Sequence, residues 1–222
     1  SCHAVMGILA AVIHRMKTGE GQFVDVSMTD AAFTLHALTA PPALVANIQP
    51  EREGTQLNGG SFYDCYETSD GRHFSVGGLE PQFFMQFCAA IGRPELAPQG
   101  MIIGDPAAVA ALKAEIASEM KRKTYAEWSD IFLAIDSCTE PVLSFAEACQ
   151  HPHIQARDLI VDVPRPDGTM QRQLGSAIKF SKTPASFRHI GTEIGSHTNE
   201  VLKEHGFSDG QIADLRKCGA VA

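Results

Sequence analysis

The sequence predicts an α+β fold. Two segments have the pattern of antiparallel β-hairpins, each with a glycine-containing turn. Around them lie segments whose apolar residues recur at the spacing of one helix face. These hairpins and helices do not follow the regular strand–helix–strand alternation of a parallel sheet, which favours α+β over a purely α/β arrangement.

The composition is that of a globular chain and argues against several classes of function. The 222 residues are 44% hydrophobic and 20% charged, and the net charge is −8. An acidic surface does not attract phosphate backbones or anionic lipids, so we expect no nucleic-acid partner and no membrane partner. No apolar run approaches the roughly 20 residues that cross a bilayer. Six dispersed cysteines without a CxxC pair indicate reduced thiols of a cytoplasmic protein.

The first helix is predicted almost from the start of the chain. Its apolar positions run from Val5 to Met16 on one face, and basic residues precede Gly19, which suits a helix end. The chain opens at Ser1 without an initiator methionine, so we expect it to be the C-terminal part of a longer polypeptide.

The next segments are predicted to be extended and then helical. Residues 22–28 are short, β-branched and partly alternating, as in an extended segment. Thr29 or Asp30 is expected to cap a second helix, which runs through Ala46 and is disturbed at Pro41–Pro42.

The central part combines one hairpin with several helices. Strands 62–67 and 72–76 flank the turn Ser69–Gly71. Helices are predicted from Pro81 to the residue before Gly92, from Asp105–Pro106 onward, and after two capping boxes, which begin at Thr124 and Ser144.

The last part contains the second hairpin and two short helices. Strands 159–163 and 169–174 flank the turn Pro166–Gly168, and helices are predicted over about 198–205 and after the capping box at Ser208. His151-Pro152-His153 is interpreted as a proline-stiffened loop. It is the only close histidine pair, and no further ligand stands at a spacing that completes a zinc site, so no metal is expected.

The sequence contains no known motif for a catalytic nucleophile or for phosphate binding. There is no G-x-S-x-G elbow, G-x-G-x-x-G turn or P-loop. Cys88 falls on the apolar stripe of its helix and is expected to pack in the core. Cys138 follows Asp136-Ser137 in a predicted loop and fits either a packing or a reactive role.

Glu80 is the strongest candidate for a functional residue. It follows Gly77-Gly78-Leu79 and precedes Pro81, where a strand pattern gives way to a helix pattern. Pro81 suits the first helical position, which places Glu80 at the N-cap, where the helix dipole favours an ionised carboxylate. The two glycines permit close approach of another group. On residue types alone a simple cap is favoured over a catalytic role, and the hairpin acids are expected to be surface or turn residues: Asp64, Glu67 and Asp70.

Several motifs together resemble the family III CoA-transferases of the CaiB/BaiF type, a superfamily with carnitine–CoA transferases, formyl-CoA transferases and α-methylacyl-CoA racemases. The central and later segments resemble the racemase branch. The segments that carry the resemblance are Gly7–Val12, Thr18–Met28, Leu57–Gly60, Phe62–Tyr66, Val76–Phe83, Asp136–Leu143, Glu147–His153, Phe180–Thr183-Pro184 and Gly195–Leu202.

The resemblance implies an α+β fragment of a two-domain α/β CoA-transferase family III fold. Residues 1–57 would be helices of the large domain, residues 58–150 a small α+β domain, and residues 151–222 the return to the large domain. The family forms interlocked dimers, so a homodimer is expected, together with association with the missing N-terminal half.

The resemblance also assigns roles. Glu80 matches the carboxylate that orients the catalytic His of the racemases. That His and the partner Asp belong upstream of this chain, and His3, His14 and Asp25 do not match them. The implied reaction inverts the α-carbon of a 2-methylacyl-CoA through an enolate, with CoA as part of the substrate and no metal or redox cofactor. The alternatives are a CoA-transferase, in which the upstream Asp is a nucleophile, and an inert dimerisation segment.

Overall fold

The structure is a computed structural model that describes residues 1–221, and it has the predicted mixed α+β composition. The chain forms two compact units, the first ending at Val142 and the second beginning at Leu143. None of the helices in the described residues combines the length and apolar character of a membrane span. The predicted three-part division at residues 57 and 150 stays a prediction.

The first unit opens with three helices and a 3₁₀ turn. Helix α1 (Cys2–Thr18) ends, as predicted, at Gly19, whose left-handed φ of 79° closes the helix. Helix α2 (Met28–Thr34) continues into the 3₁₀ turn Leu35–Leu38 and then into α3 (Ala40–Ala46).

Two predictions about this region are wrong in detail. The cap of α2 is Ser27 rather than Thr29 or Asp30, because the Ser27 hydroxyl accepts the N–H groups of Thr29 at 3.1 Å and Asp30 at 3.3 Å. The helix breaks before the prolines, which lie in the first turn of α3, where a proline removes no helical hydrogen bond. The segment 21–27 pairs with no strand among the described residues.

A three-stranded antiparallel sheet lies at the centre of the first unit. Its strands are β1 (Asp64–Glu67), β2 (His73–Val76) and β3 (Thr139–Pro141), in the order β1-β2-β3. The β1–β2 hairpin is as predicted. Strand β3 was not predicted, because three residues ending in proline show no alternation, and only pairing with β2 makes them a strand.

Three helices and a 3₁₀ segment share a hydrophobic core with this sheet. They are α4 (Pro81–Ala90), the 3₁₀ segment Pro94–Met101, α5 (Pro106–Met120) and α6 (Tyr125–Phe132). The core between them is aromatic: the rings of Phe62 and Phe84 stack at 3.8 Å, and those of Trp128 and Phe132 at 5.1 Å. The predicted apolar stripe of α5 is buried, with Val109, Leu112, Ile116 and Met120.

The second unit contains four helices and a hairpin among its described residues. The helices are α7 (Phe145–Gln150), α8 (Pro152–Ala156), α9 (Thr198–Glu204) and α10 (Asp209–Lys217), and the hairpin is β4 (Ile160–Pro164) with β5 (Met170–Leu174). The capping boxes at Ser144 and Ser208 are formed as predicted. His151 is not part of a plain loop: its Nδ1 accepts the N–H of His153 at 3.2 Å and caps α8.

Candidate functional site

Glu80 occupies the N-cap of α4, as predicted from Pro81. Its backbone is extended, with φ −69° and ψ 136°, and Pro81 is the first helical residue. Within the described residues, however, its side chain accepts no capping hydrogen bond. The side chain is exposed. The carboxylate is therefore at the positive end of a helix dipole and remains available to a group outside the cap.

Helix α4 is held firmly behind Glu80. Phe84, Phe87 and Cys88 are buried on its inner face, and Phe84 stacks on Phe62. Gly100 permits this packing, because a Cβ there would overlap the Phe84 ring. The Cys88 thiol is core packing, as expected, and burial raises its pKa to about 12.

The glycines before Glu80 make close contact with a distant part of the chain. A Cβ on Gly78 would lie 2.7 Å from the main-chain oxygen of Ser137 and 2.8 Å from Cβ of Phe83. A Cβ on Gly77 would lie 3.3 Å from Cε2 of the Tyr63 ring. The prediction that these glycines permit close approach is confirmed, and the approaching groups are those of Ser137, Phe83 and Tyr63.

The register of the sheet explains this contact. Val76 at the end of β2 pairs with Thr139 at the start of β3. Because the strands are antiparallel, the residues after Val76 run beside the residues before Thr139. The Gly77 N–H accordingly donates to the Cys138 carbonyl at 2.9 Å. Sequence reasoning did not place Cys138 beside Glu80, and the paired strand β3 is the feature that was missing.

The electrostatic field around Cys138 is negative. Partial desolvation and the charges of Asp136, Glu80 and Glu140 raise the pKa of the Cys138 thiol. A thiol in such a field stays protonated, which disfavours it as a nucleophile. Ser137 is buried beside it, and its hydroxyl has no hydrogen-bond partner among residues 1–221.

The acidic side chains of the β1–β2 hairpin form ion pairs and hydrogen bonds with neighbouring residues, which is compatible with the predicted surface or turn role. Asp64 pairs with Lys113 at 2.5 Å and Glu67 with Lys121 at 2.5 Å. Asp70 accepts the Thr68 hydroxyl at 2.5 Å and the N–H of Tyr125 at 3.1 Å. These carboxylates join the hairpin to α5 and to the start of α6.

The part of the chain that the structure describes contains no group of three or more His, Cys, Asp or Glu side chains arranged to hold a metal ion. The six cysteines all lie in that part, and each is a free thiol. The site is thus a carboxylate at a helix N-terminus, held between the aromatic core and the start of β3.

Comparison with known proteins places this chain in a family. The model of CoA-transferase family III matches residues 1–198. The chain belongs to this family. The solved structure of a CAIB/BAIF family protein from Brucella suis has the same fold, with a TM-score of 0.69 and 24% identity over 91% of this chain and 53% of that one.

Curated relatives include two kinds of enzyme. The alpha-methylacyl-CoA racemase of Mus musculus is 34% identical over 215 residues, which are 95% of this chain and 54% of the mouse protein. The succinyl-CoA–L-malate CoA-transferase beta subunit of Chloroflexus aurantiacus is 30% identical over 225 residues, with 96% and 54% covered. The chain spans about half the length of the curated relatives it matches.

Proposed function

We propose that this chain is the C-terminal part of an acyl-CoA racemase that inverts the α-carbon of 2-methylacyl-CoA thioesters. The observation that carries the proposal is the Glu80 carboxylate. It lies at the N-terminus of a helix that the core fixes in place, and it accepts no capping hydrogen bond from the described residues. Such a carboxylate is positioned to bond a group supplied by another part of the enzyme.

The chemistry of inversion explains why this carboxylate is needed. The Cα–H of a thioester is weakly acidic, so its removal requires a base that is poised near neutral pH. A carboxylate bonded to an imidazole fixes its tautomer and raises its basicity. We assign this orienting role to Glu80. The resemblance implies that the acid–base pair itself, a His and an Asp, is supplied from upstream of residue 1.

The remaining steps need binding and stabilisation but no electron transfer. Loss of the proton gives an enolate whose oxygen requires hydrogen-bond donors, and return of a proton to the opposite face inverts the centre. The CoA portion of the substrate provides binding energy remote from the reacting carbon. Neither a metal nor a redox cofactor is required by this sequence of steps.

The run Leu79-Glu80-Pro81-Gln82-Phe83 and the identity with the mouse racemase support racemisation. A second candidate is transfer of CoA between carboxylates, which is favoured by the Chloroflexus relative at 30% identity. In that reaction a carboxylate attacks the thioester and forms an anhydride, and a carboxylate in the position of Glu80 has no evident task.

The exposed apolar face of α1 supports the proposal that another protein surface covers this helix in the complete enzyme. Val5, Ile8, Leu9 and Val12 lie along this face and are between 45% and 56% exposed. An apolar stripe of this kind is typical of a surface that another element covers. We propose that the upstream half of the complete enzyme covers it, within a homodimer. An inert dimerisation segment would use the same face without catalysis.

One experiment separates the two reactions. The complete enzyme is incubated in heavy water with one enantiomer of a 2-methylacyl-CoA and an excess of succinate. A racemase incorporates deuterium at Cα and forms the other enantiomer, whereas a transferase forms succinyl-CoA without exchange at Cα. Formation of succinyl-CoA alone would overturn the racemase proposal.

A further inference from the structure

Cys138 has an unusual backbone conformation. Its φ is 49°, in the left-handed region, and within the described residues only three other non-glycine positions share this sign: Asn47, Glu53 and Asp158. A side chain with a Cβ adopts this region at a cost in free energy, and a β-branched side chain at a larger cost. Such strain is kept where the surrounding structure requires it.

The left-handed turn lets two successive carbonyl groups meet the glycines before Glu80. The Cys138 oxygen accepts the Gly77 N–H at 2.9 Å, and the Ser137 oxygen lies where a Cβ on Gly78 would come within 2.7 Å. The Gly77 oxygen in turn accepts the N–H of Leu79 at 3.0 Å. A continuous set of main-chain contacts therefore joins Cys138 to the residue before Glu80.

We propose that Cys138 is a positioning residue for Glu80, and that it acts through its main-chain conformation rather than its thiol. The proposal rests on the function proposed above for Glu80. On the C-terminal side of Glu80, α4 is held in place because its Phe84 is buried in the aromatic core and stacks on Phe62. The main chain of Glu80 is therefore set by the glycine turn on its N-terminal side, which contacts Ser137 and Cys138.

The surroundings of the thiol agree with a main-chain role. Desolvation and the carboxylates of Asp136 and Glu80 raise its pKa, so the group is neutral near pH 7. A neutral side chain of this size adds no charge beside Glu80. Removal of the sulfur is therefore expected to matter less than any change that makes the left-handed conformation harder to adopt.

The test uses three variants of the complete enzyme, assayed by deuterium incorporation at Cα. Cys138→Val places a β-branched side chain at φ 49° and is expected to lower kcat by roughly tenfold to a hundredfold, the scale of a displaced catalytic group, with little change in KM. Cys138→Ala removes the thiol and Cys138→Gly relieves the strain, so both are expected to keep kcat near the wild-type value.

Two readouts separate positioning from general damage to the fold. If Cys138 acts through Glu80, Cys138→Val produces no further loss of kcat in a Glu80→Gln background, and its pH–rate profile shifts in the same direction as that of Glu80→Gln. The matched control is Asp158→Val, since Asp158 has φ 45° and its carbonyl also approaches a glycine, Gly175. We expect this control to leave kcat unchanged.

Each outcome decides the matter. If Cys138→Gly, well folded, loses as much activity as Cys138→Val, the main-chain account is overturned. It is also overturned if Cys138→Val keeps full activity while Glu80→Gln is slow. If Glu80→Gln is itself fully active, the proposed role of Glu80 fails, and the positioning role fails with it. Should Cys138→Val not fold, Cys138→Thr carries the same branching in a smaller side chain, and unchanged kcat in it would overturn the proposal.

Discussion

The main-chain N–H of Gly77 donates to the carbonyl oxygen of Cys138 across 2.9 Å. This bond extends the β2–β3 pairing by one step beyond Val76 and Thr139. It attaches the segment that leads to Glu80 to the edge of the sheet, while α4 attaches the other side of Glu80 to the core. The main chain of Glu80 is thus held from both directions, although its side chain is exposed.

The close approach at Gly78 predicts that a single methyl group is harmful there. In Gly78→Ala the new Cβ would lie 2.7 Å from the Ser137 oxygen, which belongs to the main chain and moves only with β3. Overpacking of this kind costs about 1–3 kcal/mol in the free energy of unfolding. Urea denaturation of the 222-residue chain measures this loss.

Gly21→Ala is the matched control for this substitution. Gly21 belongs to the same unit, its φ is not positive, and a Cβ there would meet no described atom within 4 Å. Its free energy of unfolding is expected to stay near that of the wild type or to rise slightly. Equal losses in the two variants would show that contact with Ser137 does not set the cost.

Much of the fold was predictable because its signals are local. The capping boxes at Thr124, Ser144 and Ser208 each specify a helix start within four residues, and the turn at Gly71 specifies a hairpin. Strand β3 was missed because its partner is distant in sequence. For the same reason Glu80 was predictable as an N-cap, whereas its proximity to Cys138 was not.

The ion pairs of Arg93 predict a dependence of stability on acid pH. Arg93 bonds to Glu95 at 2.5 Å, to Glu119 at 3.1 Å and to Glu115, joining the end of α4 to α5. The hydrogen bond from Arg93 lowers the pKa of Glu95, and Arg122 together with Arg93 lowers that of Glu119, both from an ordinary value of 4.5. A lowered carboxyl pKa stabilises the fold above 4.5 and loses this effect as pH falls through the lowered value.

Arg93→Gln is therefore expected to lower Tm at pH 7, and to lower it by less as the pH falls below the ordinary carboxyl pKa of 4.5. Thermal unfolding between pH 3 and 7 measures the difference. Arg188→Gln removes the same charge from a side chain that has no ion-pair partner among residues 1–221, and it serves as the control. A difference for Arg93→Gln that stays constant over this range would mean that the ion pairs do not cause it.

The apolar face of α1 predicts association. The double variant Ile8→Gln, Val12→Gln removes two exposed apolar side chains from this face and is expected to reduce self-association of the 222-residue chain. Sedimentation velocity at several concentrations measures it. The control is Ile194→Gln, which changes a single exposed residue of the second unit. Identical sedimentation of the wild type and the double variant would show that this face of α1 does not mediate self-association.

Residues 1–222 by themselves are expected to be inactive. Inversion requires one group to remove a proton and another to return one, and neither is assigned within this chain, which contributes only the supporting Glu80. The purified chain, shown by intact mass to carry no co-purifying piece, is incubated with a 2-methylacyl-CoA in heavy water. Exchange at Cα above the buffer rate would require an acid–base pair within residues 1–222.

The proposed role of Glu80 is tested by the rate of Cα exchange in the complete enzyme that carries Glu80→Gln. The substitution keeps the size of the side chain and removes its charge, so the fold, checked by circular dichroism and Tm, is expected to be unchanged. Loss of the orienting carboxylate is expected to slow deuterium incorporation by about tenfold to a thousandfold, mainly in kcat. A folded Glu80→Gln enzyme that exchanges Cα–H at the wild-type rate would contradict the account and leave Glu80 as a residue at a helix N-terminus.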